Sequence, residues 1–597
     1  MRKIQQMNRL FAISFLLVAT HPSAEASSSE PGILDPAPPV MSAASAATSV
    51  PAATVVASPA SATSPAARST SAAGGAPNIL LLLIDDIGPD QLRCFDPSHG
   101  ITGLAAGPNL YTGSYPYAPT PNINRLASEG VRFARAYSSP ICSPSRAQVQ
   151  TGRYPFRTGL GGIVTQNARA KPYPHDRQVP DLPVAEYTLP EVLGLFAPSY
   201  TPAMFGKWHL SADKCFVAPL VVPDTEGDDH PYLSGWDNYK GVIRNILGVP
   251  TPTSEGCIAG RSGYYNYMHV HNAPIPTPYT PCAGAPPGRC VPPNMYSDRS
   301  WETEYLVSHE LSEVEDFCVN TAEPWCAIWA SQAIHGPFDW PPEELHSYGP
   351  EPFDLFDIEY WLRYSALLET LDTQIGRLRA SLEAEGIWEN TLVILMGDNG
   401  TDATVMEDVA DRYAGIISPY VAPDTGASVR RFKGTPYLSG TSVPLIVSGP
   451  LVASPGRVST ELVDAVDVFS TMVDYAGVAA SWPSGLGGFT VDGNSLKPAI
   501  ELSGVVGRTE SLGMHFSANG PYLLGSPPFF IELGFIYKSA STDDYYHLVR
   551  QQGMTDEFYH LWTTGGVPVD LAEVSDLGTG HAEYAPAVAA LDALVVP

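Results

Sequence analysis

Basic residues are scarce in this chain. Its 597 residues carry 33 Lys and Arg against 62 Asp and Glu, a net charge of −29, and a surface so acidic repels phosphate backbones and anionic lipid headgroups. Nucleic acid is therefore not an expected partner. Charge of either sign is thin, at 16% of residues against 44% hydrophobic, which argues against a coiled coil or a wholly disordered chain and for a globular protein with apolar interior elements. Long apolar runs are also missing. The run from Leu10 to Ala19 is too short to span a bilayer, nothing after it approaches the roughly 20 residues a spanning helix needs, and no Cys follows it to accept a lipid. No transmembrane anchor is expected. Among the eight cysteines no pair has the Cys-x-x-Cys spacing of a zinc site, and no repeat of solenoid length is present.

The beginning of the chain has the pattern of an export signal. Arg2, Lys3 and Arg9 precede or flank the apolar run, and Ala24-Glu25-Ala26 supplies a small-x-small cleavage site, so residues 1–26 are expected to be a signal peptide and the protein to be exported, periplasmic or secreted. Residues 27–76 are mostly Ala, Ser, Pro and Thr, with only Glu30, Asp35 and Arg68 charged. That composition cannot bury enough apolar surface to order itself, and reads as a linker. The main domain is expected over 77–500 and a smaller C-terminal subdomain over 501–597. Export permits disulfides. Cys318 with Cys326, or two of Cys257, Cys282 and Cys290, are the pairs close in sequence.

Short apolar runs recur at Ile79–Ile84, Trp325–Ala330, Leu392–Met396 and Pro444–Val447. Runs this short, apolar on both faces, fit strands covered by helices on each side. Between them, Leu362, Leu367, Leu371, Ile375, Leu378 and Leu382 recur at helical spacing within Ile358–Glu385. The alternation predicts an α/β fold, a large, mostly parallel sheet sandwiched between helices. Segments such as Phe530–Tyr537 and Tyr545–Val549 predict an antiparallel sheet in a smaller C-terminal α+β subdomain.

Polar groups just past the carboxyl ends of such strands converge on one crevice. The first run leads into Asp85-Asp86, the third into Gly397-Asp398-Asn399-Gly400, and the run from Trp325 reaches His335. Oxygen ligands of this kind favour a hard divalent cation, with Ca²⁺ ahead of Mg²⁺ because it accepts looser sets. An Asp-Gly or Asn-Gly turn after a strand is ordinary, but two adjacent carboxylates repel unless something cationic sits between them. The segment Ser139-Pro140-Ile141-Cys142-Ser143-Pro144-Ser145-Arg146 adds a helix start. Pro144 suits the first turn and Ser143 the cap, which sets Cys142 where free backbone N–H groups favour an anion, with Arg146 in the same turn.

The stretch Cys142-Ser143-Pro144-Ser145-Arg146 resembles the Cys-x-Pro-x-Arg signature of the type I, formylglycine-dependent sulfatases of the alkaline phosphatase superfamily. A second motif, Gly206-Lys207-Trp208-His209, is similar to that family's Gly-Lys-Trp-His, and Ile84-Asp85-Asp86, His335-Gly336-Pro337, Gly397-Asp398-Asn399-Gly400 and Phe432-Lys433-Gly434-Thr435 follow in the family's order. The resemblance covers the chain from Pro77 onward. It implies that a maturation enzyme converts Cys142 to formylglycine, and that Asp85, Asp86, Asp398 and Asn399, with the modified Cys142, bind one divalent cation. Arg146, Lys207 and Lys433 would hold the sulfate and the nucleophile, while His209 and His335 would move protons. The implied substrate is an anionic sulfate ester. In the implied reaction the hydrated aldehyde attacks sulfur, His335 with Lys433 protonates the leaving oxygen, and His209 takes the proton that lets sulfate leave. Two rivals are a phosphonate or phosphate ester hydrolase on the same fold and a non-catalytic binder of sulfated glycans.

Some positions depart from the family pattern. Gln150 stands where an apolar residue is usual, Ser211 where Gly is usual, and Leu438 and Ser442 replace a Glu and an Arg. In the Pro-, Gly- and Tyr-rich stretch 211–301, His269 and His271 read as surface-loop residues rather than ligands.

Overall fold

The computed structural model describes residues 75–95, 117–164, 181–211, 226–246, 263–274 except 266, 295–351, 360–405 except 403, 420–421, 428–429, 432–478, 489–517, 530–551, 555–563, 569, 573 and 575–595. All of them fall within one compact unit, Ser69–Pro597. The signal segment and, apart from residues 75 and 76, the linker lie outside the described residues. So do Cys215, Cys257, Cys282 and Cys290.

The strands, in chain order, are β1 (Asn78–Ile84), β2 (Gly130–Tyr137), β3 (Thr201–Lys207), β4 (Tyr239–Val242), β5 (Tyr267–Pro274), β6 (Met295–Glu302), β7 (Trp325–Ser331), β8 (Thr391–Gly397), β9 (Tyr420–Val421), β10 (Ser428–Val429), β11 (Leu445–Ser448), β12 (Arg457–Asp464), β13 (Glu510–Ser517), β14 (Phe530–Lys538), β15 (Tyr545–Gln551) and β16 (Glu557–Trp562). Ten of them form one sheet in the order β12-β2-β11-β8-β1-β7-β3-β4-β5-β6. The centre, from β8 through β1, β7 and β3 to β4, is parallel. The predicted strand at Pro444–Val447 is β11, and it runs antiparallel to both neighbours, β2 and β8. That arrangement leaves β2 pointing the same way as β8.

β1 shows why the centre forms. Ile79, Leu81 and Leu83 belong to the core on one face of the sheet, Leu80, Leu82 and Ile84 to the core on the other, so an unbroken apolar run is what a doubly covered strand requires. Truncating one of these leucines to alanine would cost about 2–5 kcal/mol. The predicted long helix spans Tyr360–Ala384 and buries Leu367, Leu371, Ile375, Leu378 and Leu382. Among the described residues no helix is long and apolar enough to cross a membrane.

The C-terminal sheet has the order β13-β14-β15-β16, antiparallel throughout. Leu512, Met514, Phe535 and Leu548 pack with Leu591 of the helix Tyr584–Val595, while Ile536, Tyr545, Val549 and Trp562 pack on Tyr137, Leu438 and Leu462. It therefore sits against the end of β2, next to the segment that leads to Cys142.

Cys318 and Cys326 do not pair; both are free and buried. Cys326 belongs to the core on one face of the sheet, and Cys318, on the helix Leu306–Asn320, to the core on the other. Nearness in sequence here spans the sheet itself. His269 and His271 are likewise corrected, because they lie on β5 rather than in a loop and His269 is buried.

Candidate active site

β8, β1, β7 and β3 are adjacent and parallel, so their carboxyl ends share one edge of the sheet, and β2 ends on that same edge. Asp85-Asp86 follows β1, Asp398-Asn399 follows β8, Lys207 closes β3, and the turn carrying His335 follows β7. Two glycines make the approach possible. Gly206, at φ +87°, has no room for a Cβ, which would lie 2.2 Å from the Ala330 carbonyl oxygen of the neighbouring strand. A Cβ on Gly400 would lie 2.0 Å from the Ser439 carbonyl oxygen. Asp86 and His209 adopt positive φ, at 57° and 58°, conformations held by their surroundings and common at functional sites.

The helix Cys142–Thr151 begins at Cys142 itself, with Ile141 as the cap residue and no side-chain cap. Ser143 is thus not the cap; its Oγ accepts from Val164 N at 3.2 Å. Ile141 arrives extended, so the helix starts two residues earlier than a Ser143 cap would set it and Cys142 takes the N-terminal position. Gln148 braces the start, accepting from Ser139 N at 3.2 Å and donating to Asp464 Oδ1 at 3.0 Å.

The charged groups predicted as a site meet there. Arg146 donates from Nε to Asp398 Oδ2 at 3.0 Å and from Nη1 to the Lys207 carbonyl at 2.8 Å, and its Nη2 lies 3.6 Å from Asp85 Oδ2. Nη2 is also 3.0 Å from Asp398 Oδ2, yet at an angle that leaves it without a hydrogen bond. Lys207 pairs with Asp85. Lys433 donates to Asp86 Oδ2 at 2.6 Å, and Asn399 Nδ2 to Asp86 Oδ1 at 2.9 Å. Asp86 N donates to Asp398 Oδ1 at 3.2 Å. Gly434 N donates to the Pro140 carbonyl at 2.7 Å, tying the Lys433 turn to the Cys142 segment.

Burial and these charges set protonation. At Asp85, burial favours the neutral acid, but Lys207, then His335, Arg146 and Lys433, outweigh it and hold the carboxyl well below its ordinary range. Asp398 is pushed up to about 7 by burial and then by Asp85; a divalent cation beside it would favour the carboxylate again. Burial pushes the Cys142 thiol well up, against Lys207 and Lys433. As an unmodified thiol it is a poor nucleophile.

The residues fit a cation. Asp85, Asp86, Cys142 and His335 offer ligand atoms all within 4.8 Å of one another. Asp85 Oδ1 and Asn399 Oδ1 are buried oxygens without a hydrogen-bond partner, an arrangement expensive for a protein unless something else satisfies them. Both oxygens of Asp398 are engaged, by Arg146 and by the Asp86 amide, as both oxygens of Asp86 are by Lys433 and Asn399. Raising a suitable cation to one hundred times its dissociation constant should stabilise the fold by about 2.7 kcal/mol. Exhaustive chelation should lower the unfolding temperature and the turnover together, and calcium should restore both; thermal melts with and without chelator, with metal analysis, check this.

The two histidines occupy different depths. His209 is 1% exposed, its Nδ1 has no hydrogen-bond partner, and burial, then Lys207 and Arg146, hold its imidazole well below the ordinary value. The His335 side chain is 14% exposed, like Lys433 at 13%, and its Nε2 lies 3.7 Å from Asp86 Oδ2. Its Nδ1 is 2.5 Å from the Gly336 carbonyl oxygen, so Nε2 is the nitrogen turned to the cleft.

Some supporting residues had no legible signal. Tyr264 donates to the Gln332 and His335 carbonyls, each at 2.8 Å, and fixes the turn that carries His335. Gln150 is satisfied by the Trp236 indole, which donates to its Oε1 at 3.1 Å. At Leu438 the backbone N donates to Glu573 Oε2 at 2.9 Å, so a carboxylate from the C-terminal segment reaches this turn.

Residues 77–478 match the sulfatase family model. The N-acetylgalactosamine-6-sulfatase of Canis lupus familiaris is 30% identical over 432 residues, covering 71% of this chain and 66% of that protein. Arylsulfatase A of Homo sapiens is 27% identical over 434 residues, covering 71% and 68%. The chain thus spans about two thirds of the length of these curated relatives. Among solved structures, the PsFucS1 sulfatase from Pseudoalteromonas sp. shares the fold, with a TM-score of 0.54 at 21% identity over 87% of this chain and 90% of that one. With the family model matching well over half of its length, the chain belongs to the sulfatase family.

Proposed function

We propose that this chain is an exported enzyme that hydrolyses a sulfate monoester to an alcohol and inorganic sulfate, using a formylglycine made from Cys142 and one divalent cation, calcium in preference to magnesium. Asp85, Asp86, Asp398 and Asn399 would hold the cation. The observation that carries the reading is the buried Cys142 at a helix N-terminus, on the same sheet edge as Arg146, Lys207 and Lys433 and three carboxylates. A bound cation would polarise the sulfuryl oxygens and lower the pKa of the nucleophile.

The chain's own residues do the rest. Arg146 Nη2, charged but without a hydrogen bond, is a spare donor for an anionic oxygen, and with Lys207 and Lys433 it stabilises charge developing around sulfur. His335 and Lys433, the more exposed members, lie where an alcohol would depart, so His335 protonates the leaving oxygen. His209, deep and neutral near pH 7, is suited to accept a proton once the alcohol has gone. Because Cys142 is fully buried, the maturation enzyme must reach it before the fold closes.

Turnover of matched aryl sulfate and aryl phosphonate esters tests the class, and a preference for the phosphonate would reject the sulfate reading. The relatives' names make aryl and amino-sugar sulfates the first substrates to try. His335→Ala should slow poor leaving groups by about 10²–10⁴-fold, while activated aryl esters, whose alcohols depart without a proton, are slowed little. A leaving-group series in kcat/KM gives the answer, and a uniform loss would remove His335 from that role.

A further inference from the structure

Away from the active site, a second group of metal-ligating side chains lies where β5 meets the helix Leu306–Asn320. His269 of β5 and His309 and Glu313 of the helix offer ligand atoms all within 4.8 Å of one another. His309 and Glu313 are four residues apart, so they stand on one face of the helix. The imidazoles converge on one carboxylate, His269 Nε2 lying 3.1 Å from Glu313 Oε2 and His309 Nε2 3.7 Å from Glu313 Oε1. Their rings are 4.6 Å apart at 32°. The side chains of His269, Glu313 and His309 are only 4%, 11% and 18% exposed.

We propose that His269, His309 and Glu313 form a second metal site, selective for a late first-row divalent ion such as zinc. Two imidazoles and one carboxylate are the ligand types that zinc takes, and three protein ligands with an open fourth position are a recurrent zinc arrangement. The hard-cation site at the sheet edge has a different, oxygen-rich chemistry.

The surroundings supply what such a site needs. The Tyr267 hydroxyl is 2.7 Å from His309 Nδ1, a partner that fixes the ring and leaves Nε2 for the metal. His271, two residues along β5 and so on the same face, stacks on His269 with ring centroids 5.9 Å apart. Lys240 Nζ lies 3.8 Å from Glu313 Oε1. Lys240 is 38% exposed, so its long chain can release the carboxylate into a metal site at little cost.

The test uses zinc itself on the full chain, in excess calcium to keep the hard-cation site filled. Wild type should retain one equivalent of zinc after dialysis, and its X-ray absorption should show two imidazole ligands. His309→Ala and Glu313→Gln should each reduce retained zinc at least tenfold while leaving ester turnover in calcium unchanged. Tyr267→Phe should weaken zinc binding about 10-fold or more through loss of the orienting hydroxyl. If a ligand variant fails to fold, the wild-type absorption measurement still decides. No zinc retained by wild type, a zinc environment without imidazole, or full retention by folded His309→Ala would overturn the proposal and leave a hydrogen-bonded structural cluster.

Discussion

Replacing Cys142 by alanine is expected to reduce sulfate-ester turnover by about 10⁴-fold or more, the scale of losing a nucleophile. The side chain is fully buried at the helix start, with Lys207, Lys433, Asp85 and Asp398 as its charged neighbours. An alanine there fits without strain, because helix position and packing favour a small residue, so folding should survive and the loss is chemical. Burial disfavours the thiolate of the unmodified side chain, so the proposed mechanism requires its conversion. Mass spectrometry of the wild-type peptide should accordingly show sulfur and two hydrogens replaced by one oxygen at Cys142. Release of sulfate from an aryl ester by purified variant and wild type gives the comparison, and an alanine variant with wild-type activity would eliminate the formylglycine mechanism.

Arg146→Ala should damage stability as well as rate. The guanidinium is 1% exposed, bonded to Asp398 and to the Lys207 carbonyl, and close to Asp85. Its removal leaves Asp398 buried without its main cationic partner, and stripping one member from a buried ion pair costs about 3–5 kcal/mol. The loss of a donor aimed at developing charge should lower turnover by about 10²–10³-fold. Arg146→Lys should not restore both, since one ammonium cannot bond Asp398 and the Lys207 carbonyl in the same fork geometry. Denaturant unfolding and initial rates in calcium, measured on the same preparations, separate the two effects. A variant with wild-type stability would mean that Asp398 is satisfied without Arg146.

The two histidine groups differ in how much of their setting is local in sequence. His209 was readable because it follows a buried strand in a motif with Lys207 and Trp208. His269 reads as a surface-loop residue because the stretch 211–301 around it is rich in Pro and Gly, which mark turns and loops. Its burial comes from the helix Leu306–Asn320 packed beside it, and no local pattern around His269 reports that.

What the sequence alone determined is what depends on neighbours along the chain. The runs at β1, β7 and β8, the helix Tyr360–Ala384, and the polar groups at the ends of those strands were all legible, because burial on two faces or on one stripe imposes its own periodicity. The tertiary structure alone decided which distant groups touch: Lys433 reaches Asp86 across 347 residues, β11 enters antiparallel between β2 and β8, and Cys318 and Cys326 face opposite cores. Periodicity records that a residue is covered but carries no record of what covers it, and only sheet order and strand direction supply that partner.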